Sequence, residues 1–248
     1  MNRTVLAADF GGTHLRAAVV DEAGGILQRS DHATPANTPQ NVAATVVDLL
    51  AEVARAASPQ PSAVCIATAG LINADQGKVI LAPNIPGFRN LVLTTPVAER
   101  LGIPAFIEND ASAAALGEFR FGAGRGTRHL LHATLGTGIG GGIVIDGRLY
   151  RGASGLAGEI GHIILNPAGP KCNCGSRGCL KQWSAVWHSR SGRRRSSNSA
   201  SRRSSTKSSA MANRRRPTST PPRPKATPSA RPRSVTAAIS SGSAWAAW

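Results

Sequence analysis

Two short segments combine glycine and threonine in a way that suits phosphate. Asp9-Phe10-Gly11-Gly12-Thr13 lies between the apolar runs Thr4–Ala8 and Leu15–Val20. Lacking side chains, Gly11 and Gly12 let backbone N–H groups approach a phosphate closely, and Thr13 adds a hydroxyl. Asp9, at the end of its run, is the residue type that holds Mg²⁺, usually through water. A plain glycine hairpin with Asp9 as its turn former would have the same wording. A second loop, Leu135–Gly142 with Gly136, Thr137 and Gly138 at its head, again separates two strand-like runs. Its alternative is a glycine stretch built for tight packing. The pair together suggests two halves closing on the phosphates of a nucleotide from opposite sides.

Between the loops stands Glu108-Asn109-Asp110, where a strand-like run opens an alanine-rich stretch. Phosphoryl transfer to an alcohol needs a carboxylate to accept the hydroxyl proton and hold that oxygen in line. Asp110 suits that task, with Asn109 as a neighbouring hydroxyl partner; the competing reading makes Asp110 the cap of a helix beginning at Ala111. Further on, Gly158-Glu159-Ile160-Gly161-His162 precedes Cys172-Asn173-Cys174 and Cys179. Three thiols and an imidazole at this spacing suit a closed tetrahedral zinc site, and soft thiolates favour Zn²⁺ over Mg²⁺ or Ca²⁺. Cys65 falls inside an apolar run and reads as a core residue.

The elements that must position these groups follow from periodicity. Thr4–Ala8 and Leu15–Val20 read as a hairpin, with Asp21–Gly25 as a turn. In Asn41–Ala57, Val42, Val46, Leu49, Leu50 and Val53 recur at helical spacing. Ala63–Ala69 and Pro104–Ile107 read as buried strands, Ala111–Phe119 as a helix, and Leu130–Leu135 with Ile143–Ile145 as a second strand pair. Strands alternating with helices predict an α/β fold.

Charge divides the chain. Of a net +16, residues 1–180 contribute +1 (14 basic, 13 acidic), whereas residues 181–248 carry 15 basic residues and no acid, so the two parts are read separately. The first part has the balanced, apolar composition of a globular domain. The tail is rich in Ser, Arg and Pro without apolar period, a composition that cannot offset ordering entropy, and disorder is expected. The start has no signal-peptide pattern and no apolar run is long enough to span a bilayer, so the expected compartment is the cytoplasm, with no membrane partner.

At this point the chain resembles ROK (repressor, ORF, kinase) sugar kinases. Asp9–Thr13, Asn84-Ile85-Pro86-Gly87-Phe88, Glu108–Asp110, Leu135–Gly142, Gly158–His162 and Cys172–Cys179 stand in that family's order. The resemblance covers Arg3 to Leu180. It implies an actin-like, hexokinase-like (ribonuclease H-like) ATPase fold with two α/β domains around a cleft. The first would span residues 1–115 and the second, truncated, residues 116–180, ahead of the disordered tail at 181–248. It implies ATP-dependent phosphorylation of a hexose at its 6-hydroxyl, glucose above all, with Asp110 as base. Asn84, Asn109, Glu159 and His162 would bind the other hydroxyls. Asp9 and the two loops (Gly11, Gly12, Thr13; Gly136, Thr137, Gly138) would serve ATP and Mg²⁺. His162, Cys172, Cys174 and Cys179 would hold a structural Zn²⁺. Fructose, N-acetylglucosamine or N-acetylmannosamine are alternative substrates, and a non-catalytic sugar-binding regulator is the alternative class. Repressor members carry a helix-turn-helix domain ahead of this region, and none is expected ahead of the first phosphate strand here. Homo-oligomers are common in the family.

Two departures stand out. The family usually has Glu two positions after the last zinc cysteine, where this chain has Lys181, a donor only. The family also continues in ordered α/β structure where this chain has its basic tail. A shifted reading frame near codon 180 accounts for such a tail, since GC-rich DNA read out of frame yields Arg, Ser, Pro and Ala. An inert tail and a genuine basic appendage are the other readings, and only the last makes nucleic acid a partner. Little or no activity and poor solubility are expected of the chain as it stands.

Overall fold

The computed structural model describes residues 3–12, 14–34, 39–82, 85, 88–136, 138–183 and 235–241; side chains of 39–42 and 235–241 are outside the description. Three strands open the chain: β1 (Thr4–Phe10), β2 (His14–Asp21) and β3 (Ile26–Ala33). β1 pairs antiparallel with β2, and β2 with β3. The turn from β2 to β3 is held by Asp21, whose carboxylate accepts the N–H groups of Ala23 and Gly25 at 2.9 and 2.7 Å. An aspartate closing a glycine turn on its own backbone is the local device its sequence signalled.

The long helix α1 (Pro39–Ala56) follows, then β4 (Val64–Thr68). Val46, Leu49, Leu50 and Val53, the face predicted from spacing, are all buried. A three-stranded antiparallel sheet comes next, formed by β5 (Leu71–Asn73), β6 (Lys78–Leu81) and β7 (Arg89–Val92). Helix α2 (Thr94–Leu101) ends at Gly102, whose left-handed backbone (φ 69°) lets its N–H reach Ala98 O. Strand β8 (Ala105–Asn109) then completes a sheet of order β3-β2-β1-β4-β8, with β1, β4 and β8 parallel. Leu6, Phe10, Leu15, Ile66 and Ile107 from this sheet and the buried face of α1 form one continuous core, and the rings of Phe10 and Phe88 stack at 4.9 Å.

Helix α3 (Asp110–Arg120) leads into a second sheet, β9 (His129–Leu135), β10 (Ile139–Ile145) and β11 (Arg148–Leu149). Residue 115, the predicted domain boundary, lies within this continuous helix. The sheet's order is β11-β10-β9-β12, where β12 (Val235–Ser241) runs parallel to β9. The disorder expected across 181–248 is not what the structure shows at residues 181–183, which are helical, nor at these seven residues. Val235-Thr236-Ala237-Ala238-Ile239 contains β-branched residues and no proline or charge, so it meets an open strand edge without the penalty the rest of the tail carries. Residues 184–234 and 242–248 lie outside the described residues. Among the described residues, no helix is long and apolar enough to cross a membrane.

Candidate active site and metal cluster

The junction of β8 and α3 carries the central carboxylate. Asn109 is the helix cap: its side-chain oxygen accepts from Ala111 N at 3.0 Å and Ser112 N at 3.1 Å. Its amide also donates to Gly70 O at 3.1 Å. Capping therefore falls to Asn109, which leaves Asp110 available for chemistry and leaves Asn109 a single N–H for any ligand. Asp110 is half-buried and its Oδ1 accepts the adjacent Ala111 N–H at 2.9 Å. Burial raises its carboxyl above the ordinary range, and the charges of Asp9 and Glu159 raise it further against the Ala111 hydrogen bond. A carboxyl poised in this way is better matched to proton transfer near neutral pH.

The structure thus brings Asp9, Asp110 and Glu159 into one electrostatic neighbourhood. Asp9 ends in a cross-strand pair with Arg16, Oδ2 to Nη1 at 3.6 Å. Beyond it, Gly11 donates its N–H to His14 O at 2.9 Å, and Thr34 Oγ1 donates to Gly11 O at 2.8 Å. In the second loop Gly136 N–H closes onto Gly138 O at 2.9 Å. Gly12 sits in a bend of the first loop. Thr13, Asn84 and Thr137 lie outside the described residues.

The second glycine stretch divides into two parts with different tasks. Gly136 and Gly138 lie outside the strands, whereas Gly140, Gly141 and Gly142 belong to β10. A Cβ on Gly140 would lie 2.9 Å from Ala111 Cβ, and one on Gly142 would collide with Ala115 Cβ. These glycines allow α3 to press against β10, so packing explains them and not phosphate. Gly158, at φ 91°, brings the Glu159–His162 segment against the same strand, and a Cβ there would lie 2.6 Å from Gly141 O.

One positioning contact was invisible in the sequence. Glu108 is buried, accepts Asn109 N–H on Oε1 at 2.9 Å and meets Arg151 at 2.6 Å (Nη2) and 2.7 Å (Nε) on Oε2. It ties the strand that presents Asp110 to the chain leading towards Glu159. The partners are 43 residues apart, and no local signal marks Arg151.

The metal cluster assembles as its spacing predicted. One ligand atom from each of His162, Cys172, Cys174 and Cys179 lies within 4.8 Å of all the others. Cys174 Sγ to Cys179 Sγ is 3.7 Å, and Cys172 Sγ to His162 Nδ1 is 3.9 Å. A tetrahedron with Zn–S bonds of about 2.3 Å has edges of about 3.8 Å, so the donor set fits such an ion. Burial and then Lys181 hold His162 below its ordinary pKa against Glu159, favouring the neutral imidazole.

A family model described as "ROK family" matches residues 5–208. The chain belongs to the ROK family. The match extends past Leu180, where the motif resemblance stops, into residues outside the description. A glucokinase of Streptomyces coelicolor is 43% identical over 182 residues, 73% of this chain and 56% of the relative. A glucokinase of Thermotoga maritima is 41% identical over 178 residues, 71% and 56% of the two chains. A ROK family glucokinase of Streptomyces griseus, solved in complex with glucose and AMPPNP, superposes with a TM-score of 0.66 at 40% identity. The superposition covers 78% of this chain and 62% of that one. This ROK chain spans little more than half the length of the curated relatives it matches.

Proposed function

We propose that this ROK chain carries the sugar site of an ATP-dependent hexose kinase that converts glucose to glucose 6-phosphate. The observation that carries the reading is Asp110: a carboxyl raised by burial, freed from capping by Asn109, beside Asp9 and Glu159. In this reading Asp110 accepts the proton of the 6-hydroxyl and holds that oxygen in line with the γ-phosphate. Asn84, Asn109, Glu159 and His162 bind the remaining hydroxyls, and the loops at Gly11–Thr13 and Gly136–Gly138 receive the ATP phosphates. Mg²⁺, held near Asp9, would neutralise charge on those phosphates. His162, Cys172, Cys174 and Cys179 hold a structural Zn²⁺, whose donor separations support the assignment.

That relatives at 43% and 41% identity bear the name glucokinase supports glucose as the hexose. The test is glucose titration calorimetry on the chain, together with a coupled glucose 6-phosphate assay on a version extended to the full length of its relatives, each compared with its Asp110→Asn variant. Base catalysis contributes about 10²–10⁴-fold, so Asp110→Asn should lose turnover on that scale while still binding sugar. Retained turnover removes Asp110 as base, and absence of glucose binding in a folded preparation removes the sugar site. A second reading, sugar binding without phosphoryl transfer, draws support from the small core of the second sheet, where only Leu130 and Val144, with Phe119 against them, form a described cluster. Glucose binding without ATP binding would favour it.

A further inference from the structure

One contact at the metal cluster has no place in the chemistry above. Lys181 Nζ lies 3.1 Å from His162 Nε2, while the other ring nitrogen, Nδ1, faces Cys172 Sγ at 3.9 Å. A neutral imidazole carries one proton. Ligation through Nδ1 needs the lone pair there and puts the proton on Nε2. A metal-bound histidine ordinarily donates that second N–H to a carboxylate, a carbonyl or water. The lysine ammonium offers three donors and no acceptor. In the ligating tautomer two donors therefore face each other, with a full positive charge aimed at a ring polarised by a dication. The other tautomer suits both neighbours without metal: Nδ1–H donates to the sulfur of Cys172, and Nε2 accepts from Lys181.

We propose that Lys181 is a latch that holds His162 in the metal-free tautomer, so that the three-cysteine, one-histidine cluster takes zinc weakly and zinc entry requires Lys181 to swing out. The inference rests on the zinc reading of the cluster. Lys181 is half-buried at the start of the last described helical turn, and replacing it does not touch the core.

The test is zinc affinity of the full chain by competition with a chromophoric chelator, for the parent, Lys181→Met, Lys181→Glu and Cys174→Ser. Outer-shell partners typically change metal affinity by about 10–100-fold. Lys181→Met should tighten zinc by about the lower figure and Lys181→Glu, which supplies an acceptor, by about the upper. Long-range ¹⁵N–¹H spectra of the metal-free chain should place the His162 proton on Nδ1 in the parent and move it towards Nε2 in Lys181→Glu. The latch is overturned if neither variant binds zinc more tightly while Cys174→Ser still loses it, or if the parent already carries the proton on Nε2. If Cys174→Ser leaves zinc affinity unchanged, the zinc assignment fails first and the latch falls with it.

Discussion

The two larger sheets follow the same strand path and differ in how far they are filled. In each, a first strand pairs antiparallel with the second, the second with the third, and a later strand joins the first in parallel: β3-β2-β1-β4 in one, β11-β10-β9-β12 in the other. Each hairpin also carries one of the glycine loops. The first sheet is packed by α1 and continues into β8, and its core runs without a break from Leu6 to Ile107. Around the second, Leu131, Leu135, Ile145 and Tyr150 stay exposed, and the described core cluster is Leu130 and Val144 with Phe119. A shared path therefore does not confer shared stability. Area buried, rather than topology, determines how much hydrophobic free energy each half contributes.

That contrast can be broken by substitution. Phe10→Ala removes a fully buried ring stacked on Phe88 and should cost about 3–5 kcal/mol. Urea denaturation followed through the first-sheet amides checks it, and a cost under 1 kcal/mol would deny that this core dominates (the low end for any large core truncation is about 2 kcal/mol). Leu130→Ala in the second sheet should fall at the lower end, about 2 kcal/mol, because a sparse surround collapses more easily. Equal losses at the two sites would erase the distinction. Gly142→Ala should separate β10 from α3 and cost about 1–3 kcal/mol by overpacking against Ala115, read as a lowered melting temperature.

A smaller effect concerns Asp110, which lies where the two sheets meet through α3. Its folded pKa is raised above the ordinary 3.8. The folded state therefore binds more protons than the unfolded state between the two values, and stability from this group is full below the unfolded value and lost as pH rises through the folded one. Asp110→Asn should accordingly melt higher than the parent at neutral pH, with the gap closing in acid. A variant that melts lower at neutral pH would contradict the burial argument. The smallest effect is expected from Ala238→Pro, which puts a residue without an N–H into the middle of edge strand β12. Hydrogen exchange should quicken across 129–135 and stay unchanged in β1 and β4; unaltered protection of β9 would remove β12 from the sheet.

Much of this was legible in the residues because it is local. Strand and helix period, the Asp21 turn, and the close spacing of Cys172, Cys174 and Cys179 are properties of a few consecutive side chains, and periodicity reports them directly. The sequence determined on its own that two glycine loops flank a carboxylate motif and that a thiol cluster follows. Other matters depended on atoms far apart in the chain. Only the tertiary structure decided that Asn109 caps α3 and releases Asp110, since Gly70 must come to the amide for that arrangement to be held. It alone decided that Gly140–Gly142 serve packing, because the clash they avoid is with Ala111, Ala115 and Gly158. It alone joined Glu108 to Arg151, placed Lys181 on His162 and set Val235–Ser241 beside β9. The physical reason is common to all of these. Local sequence fixes backbone preference and side-chain chemistry, whereas hydrogen-bond partners, desolvation and packing clashes exist only once distant segments share the same space.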